Sequence, residues 1–172
     1  MKLAITDACI FIDLHLLDLV VPFFELDIEV HTSLDVFNEL NEEQRQLLSA
    51  YQSMGRLTIH ILQQADREAM HGCGFPRSLS EMDCTVLYLA TRLDAMVLSS
   101  DKVVRNFAKK KSIDYHGMLW IFDELVRQEC VTATIAADKL KQLMVSNQIY
   151  QNNEMLLKEM GKRLSKWENK TT

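Results

Sequence analysis

Short apolar stretches alternate along this chain with segments whose apolar residues recur at helical spacing. Residues 3–6 are apolar and run into Asp7, the pattern of a buried first strand with a polar residue at its carboxyl end. Residues 11–19 then carry helical periodicity. A second strand is expected over residues 27–31, where Ile28 and Val30 alternate with charged neighbours. Thr32 or Ser33 can cap a helix that starts near Leu34 and continues through Leu40, and residues 42–51 form a further helix that Gly55 ends. Residues 57–61 read as a third strand and residues 64–71 as a helix, with a loop at 72–76. Ser80 is a candidate N-cap for a helix over residues 81–93, with Asp83 at the acidic capping-box position. A strand at 95–99 leads to Ser100 and Asp101, a helix follows over residues 102–110, and residues 113–116 give a short last strand. From Met118 the chain is helical to Trp167, with a frayed end at 170–172.

Strands that alternate with helices predict a parallel sheet covered on both faces. Composition agrees: 48% of the 172 residues are hydrophobic and 25% charged, while five glycines and two prolines are too few for most all-β sandwiches. The length suits one domain of ordinary size. Four cysteines without a CxxC pair, in a chain with this much core material, read as reduced thiols. The start lacks the long apolar run of a signal peptide, and no segment is apolar enough to span a bilayer, so a cytoplasmic protein with no membrane partner is expected. A net charge of −5 counts mildly against nucleic acid, which is held largely by Lys and Arg. A cluster of metal-binding carboxylates would itself add negative charge, part of which a bound metal would neutralise.

In open parallel sheets the functional crevice lies beyond the carboxyl ends of the strands. Asp7 follows the first strand and Asp101 the 95–99 strand, so both should project from one edge. Glu39 lies on the helix after the second strand, and Asp83 opens the helix before the 95–99 strand. Mg²⁺ and Mn²⁺ take oxygen ligands, and a metal-bound water becomes a usable nucleophile near neutral pH. Each acid also has an ordinary explanation: Asp7 ends a strand, Asp83 caps a helix and complements its dipole, Glu39 is a solvated glutamate, and Asp101 caps the next helix.

The segments TDACIFIDL, TSLDVFNEL, LSEMDCTVLYLA and VLSSDKVVRNFAKKKSIDYHG resemble the successive motifs of the PIN domain superfamily, over about residues 1–120. Within it they are similar to VapC-type toxins and to related prokaryotic PIN-like proteins. The resemblance implies a three-layer α/β/α sandwich with a central parallel sheet of four to five strands. It divides the chain into a PIN-like domain at 1–125 and a helical C-terminal extension at 126–172 that packs on or extends it. It implies a Mg²⁺- or Mn²⁺-dependent endoribonuclease, the toxin of a toxin–antitoxin pair, with an RNA substrate, an antitoxin protein and a second copy of the chain as partners. Carried over by position, Asp7, Glu39, Asp83 and Asp101 are its catalytic and metal-binding acids. Glu81, two residues before Asp83, is a rival ligand. The family's further acid or asparagine after the fourth position has only Asn106 as an approximate match.

Other features change this picture less. Lys102 and Arg105 lie nearest the expected site within a basic stretch that Lys109, Lys110 and Lys111 continue, and phosphate contact competes there with an ordinary solvated helix face. Ser99 lacks a GxSxG context and is read as orienting a carboxylate or holding a metal-bound water. His71 and Cys73 have no second pair at zinc spacing. Leucines and methionines between Leu140 and Leu164 suit either a core or a partner surface. A non-catalytic PIN-like module that binds nucleic acid or protein is the alternative. A phosphate-transfer receiver fits poorly, because the interval from Asp7 to Asp101 is too long.

Overall fold

A computed structural model describes residues 2–169. The expected fraying at 170–172 lies outside the described residues. Five parallel strands form one sheet in the order β3-β2-β1-β4-β5. They are β1 (Lys2–Thr6), β2 (Ile28–Ser33), β3 (Leu57–His60), β4 (Met96–Leu98) and β5 (Tyr115–His116). β1 is central, pairing with β2 on one side and β4 on the other. Ala4, Ile5 and Thr6 are wholly buried although successive side chains face opposite sides, so β1 is covered on both faces. With its flanking helices this is the α/β/α architecture expected from the alternation of elements.

The chain divides into two compact units. The first comprises residues 1–12 and 27–118 and contains the whole sheet. It also holds α3 (Leu34–Glu39), α4 (Glu42–Ser53), α5 (Gln64–His71), α6 (Glu81–Leu93) and α7 (Lys102–Lys110). The caps expected from the sequence are made: the Ser33 hydroxyl accepts from Val36 N–H, and Ser80 and Asp83 form a reciprocal capping box. β2 runs two residues further than its alternation suggested, because Thr32 and Ser33 are buried and still pair with β3.

The second unit comprises residues 13–26 and 119–172. Here the single helix expected over residues 11–19 is replaced by two elements, α1 (Ala8–Leu16) and α2 (Val20–Glu25). The break falls at Asp18, whose φ of +54° is left-handed and cannot continue a helix. Pro22 then sits in the first turn of α2, where no intrahelical N–H is lost. The C-terminal helical run is cut into α8 (Met118–Arg127), α9 (Ala133–Ser146), α10 (Gln148–Gln151) and α11 (Glu154–Glu168). Thr132, Asn147 and Asn153 cap the last three. Among the described residues no helix is long and apolar enough to cross a membrane.

Candidate active site

The site is built where β1 and β4 end. Asp7 follows β1 directly, and its backbone N–H extends the ladder by donating to the Leu98 carbonyl at 3.0 Å. The side chain is 5% exposed. Its Oδ1 accepts from Ala8 N–H at 2.7 Å, and its Oδ2 accepts from the Ser99 hydroxyl at 2.7 Å and the Cys9 thiol at 3.3 Å. Burial raises the Asp7 carboxyl above its ordinary range, and the negative charge of Asp83 adds to that, while the Ser99, Cys9 and Ala8 donors partly offset both.

Ser99 ties the first acid to the fourth. The hydroxyl that donates to Asp7 also accepts from the backbone N–H of Asp101 at 3.1 Å. Asp101 is the N-cap of α7, its Oδ1 accepting from Val103 N–H at 2.7 Å and Val104 N–H at 3.0 Å. Its carboxylate is exposed. Strand end and helix cap are thus combined in one residue, and the cap leaves one oxygen uncommitted.

Glu39 ends α3 and Asp83 lies in the first turn of α6. A buried hydrogen bond of 2.7 Å between the hydroxyls of Ser33 and Thr85 joins the starts of these two helices. The Glu39 carboxyl is raised by partial desolvation and by the charges of Asp7 and Asp83. Three acids from three elements therefore share one field, and the causes acting on Glu39 and Asp7 include no basic side chain. Asp83 divides its duties, since its Oδ2 also accepts from the Ser80 N–H and hydroxyl at 2.8 Å. Glu81 is turned to other partners, lying 3.4 Å from His71 and 3.7 Å from Arg67. Among the described residues, no three Asp, Glu, His or Cys side chains are gathered closely enough to hold a metal ion as they stand.

The order of these acids on a 3-2-1-4-5 parallel sheet agrees with a match over nearly the whole chain. A family model described as DUF3368: PIN domain matches residues 3–165. The chain belongs to the PIN domain family. No curated protein matches it. The PIN domain is generally a nuclease fold that acts on nucleic acid and uses Mg²⁺ or Mn²⁺. The match runs past the sheet to Leu164 and Ser165 in α11, so the C-terminal helices fall within the family's span.

Asp7, Glu39, Asp83 and Asp101 offer only carboxylate oxygens, the donor type a hard divalent cation takes, and the like charges that raise Asp7 and Glu39 are what a cation would offset. Cys9 was not singled out in the sequence, although its place two residues after Asp7 is a signal of proximity. Its thiol donates to Asp7 and accepts from Ser100 N–H at 3.3 Å. Burial and the Asp7 charge push the thiol well up, which makes it a hydrogen-bonding group here rather than a nucleophile. Ser33 and Thr85 were also missed as a pair, because nothing in a sequence reveals that residues 52 positions apart share a hydrogen bond.

Proposed function

We propose that this PIN domain is a Mg²⁺- or Mn²⁺-dependent endoribonuclease that hydrolyses RNA phosphodiesters. The observation that carries the reading is the buried Asp7 at the end of the central strand, with the charge of Asp83 acting on both Asp7 and Glu39. Asp7, Glu39, Asp83 and Asp101 would hold the metal, which supplies charge neutralisation and an activated water when bound. Ser99 and Cys9 hold the Asp7 carboxylate in one rotamer, leaving its remaining lone pairs for the crevice. Glu39 carries the least protein hydrogen bonding of the four and is suited to orient water. Lys102, exposed at the start of α7, suits contact with the substrate backbone. Asp83 is preferred to Glu81 because its charge acts on both Asp7 and Glu39, whereas Glu81 is paired with Arg67 and His71. The role of toxin, with an antitoxin and a second copy as partners, extends this reading on the strength of the resemblance to VapC-type proteins.

A second reading, a non-catalytic binding module, is favoured by the capping bonds that occupy Asp83 and Asp101. Calorimetry with Mn²⁺ and cleavage of single-stranded RNA separate the two. The nuclease reading expects one saturable Mn²⁺ event and Mn²⁺-dependent cleavage, both lost in Asp7→Asn with the fold intact by circular dichroism. Cleavage by purified Asp7→Asn at the wild-type rate would sink it. Absence of Mn²⁺ binding to the wild type would favour the binding module.

A further inference from the structure

Arg105 lies one helical turn after Asp101 on α7. Its guanidinium is held over the ring of Tyr115, 5.5 Å from the centroid. A Cβ added at Gly117 would meet Arg105 Nη1 at 4.0 Å and the Ser99 carbonyl oxygen at 3.5 Å. The cation is therefore lodged beside the end of β4, at the sheet edge that carries Asp7 and Asp101. Its Nε is buried and has no hydrogen-bond acceptor. Among the described residues no carboxylate pairs with it. Two other arginines of the same unit are neutralised, Arg67 by both oxygens of Asp35 at 3.0 Å and Arg92 by Asp66.

The fold stacks Arg105 on Tyr115 and leaves its buried Nε–H without an acceptor. A buried donor without an acceptor is costly unless an incoming group supplies one. The planar fork matches the paired oxygens of a phosphate, and aromatic stacking fixes its orientation before the ligand arrives. Helix α7 adds a second constraint. Asp101 caps its start while Arg105 projects a turn later, so one short element presents a metal-binding acid and a cation at fixed separation.

We infer that Arg105 is the phosphate-holding residue of this site, taking the non-bridging oxygens of an RNA phosphodiester next to the one that is cut. The inference rests on the nuclease reading for the identity of the ligand. Tyr115 is a positioning residue, its ring supporting the guanidinium. The arginine compensates the charge conflict that a polyanion meets at a carboxylate site.

The test uses the full chain and a short fluorescein-labelled single-stranded RNA, with Ca²⁺ replacing Mg²⁺ or Mn²⁺ to allow binding without turnover. Anisotropy is read over a series of salt concentrations for wild type, Arg105→Ala, Arg105→Lys and the surface control Lys109→Ala. Arg105→Ala is expected to weaken RNA binding about tenfold and to reduce the salt slope by about one. Arg105→Lys should restore the slope but only part of the affinity, because it keeps the charge and loses the fork. Lys109→Ala should leave affinity within about twofold. In Mn²⁺, the KM for RNA should rise in Arg105→Ala while kcat stays within about twofold. Wild-type affinity and slope in Arg105→Ala overturn the inference, as does failure of the wild type to bind RNA. Arg105-dependent binding of a polyglutamate peptide without RNA binding overturns it too. RNA binding that depends on Arg105 in a chain that cuts nothing leaves the phosphate assignment standing and removes the nuclease reading. If Arg105→Ala does not fold, Arg105→Lys carries the decision through its lost affinity.

Discussion

Asp7 and Asp13 stand six positions apart, one after the central strand and one within α1, and are equally buried at 5% and 4% exposure. Burial raises both carboxyls. Their surroundings differ in kind. Asp13, in the second unit, is met by the side-chain amide of Asn147 at 3.1 and 3.4 Å, and the same Asn147 caps α10 by accepting from Ile149 N–H. No other acid acts on it. Asp7, in the first unit, collects a hydroxyl, a thiol and a backbone N–H, and yet is opposed by Asp83. One buried carboxylate closes a helix junction. The other is held ready with its charge unresolved, which is the cost a protein carries at a functional position. Burial alone therefore does not distinguish Asp7 from Asp13; converging like charge does, and it supports the role proposed for Asp7.

The widest separation between the two should appear in cleavage. Asp7→Asn should lower Mn²⁺-dependent RNA cleavage by at least about a thousandfold, whereas Asp13→Asn should stay within about twofold of wild type. Initial rates at saturating RNA measure both, and an inactive but folded Asp13→Asn would dissolve the distinction. Stability should rank them the other way. Asp13→Ala leaves the Asn147 amide without its acceptor and should cost about 1–3 kcal/mol, read as a fall in denaturant midpoint. Asp7→Asn removes an opposed charge and should hold or gain stability in the absence of metal. A destabilisation of Asp7→Asn larger than that of Asp13→Ala contradicts the comparison.

The smallest effect is in pH. The folded-state pKa of Asp13 lies above its ordinary value of 3.8, so the native state binds this proton more tightly than the unfolded chain. Its contribution is fully present below that value and is lost as pH rises through the raised pKa, after which it is flat. Thermal midpoints of Asp13→Asn measured against wild type should therefore improve from the acid side of pH 3.8 upward and then level off. Mn²⁺ should leave this difference unchanged, since Asn147 and not a metal answers Asp13. A variant-minus-wild-type difference that falls with rising pH would reverse the sign and refute the assignment.

Much of this molecule follows from local rules. Strand ends at Asp7 and near Asp101, the helix starts at Ser33 and Ser80, and the alternation of strand and helix are short-range consequences of side-chain period and capping, so a single sequence carries them. Within the candidate site, that was enough to nominate Asp7 and Asp101, while Glu39 and Asp83 needed the resemblance to PIN domains. The break at Asp18 was hidden because a left-handed residue among apolar neighbours is selected by packing and not by composition. The bonds that tie the site together lay beyond the sequence for a plainer reason. Ser99 reaches Asp7 across 92 positions, Ser33 reaches Thr85 across 52, and Arg105 lies over Tyr115 without an acid of its own. Such contacts exist only once the parallel strands lie side by side. The chain by itself determined which chemistry is present. Tertiary structure decided which acids share a field and that Arg105 lies over Tyr115. The physical reason is that charge and hydrogen bonding act through space, at distances that only the folded sheet sets.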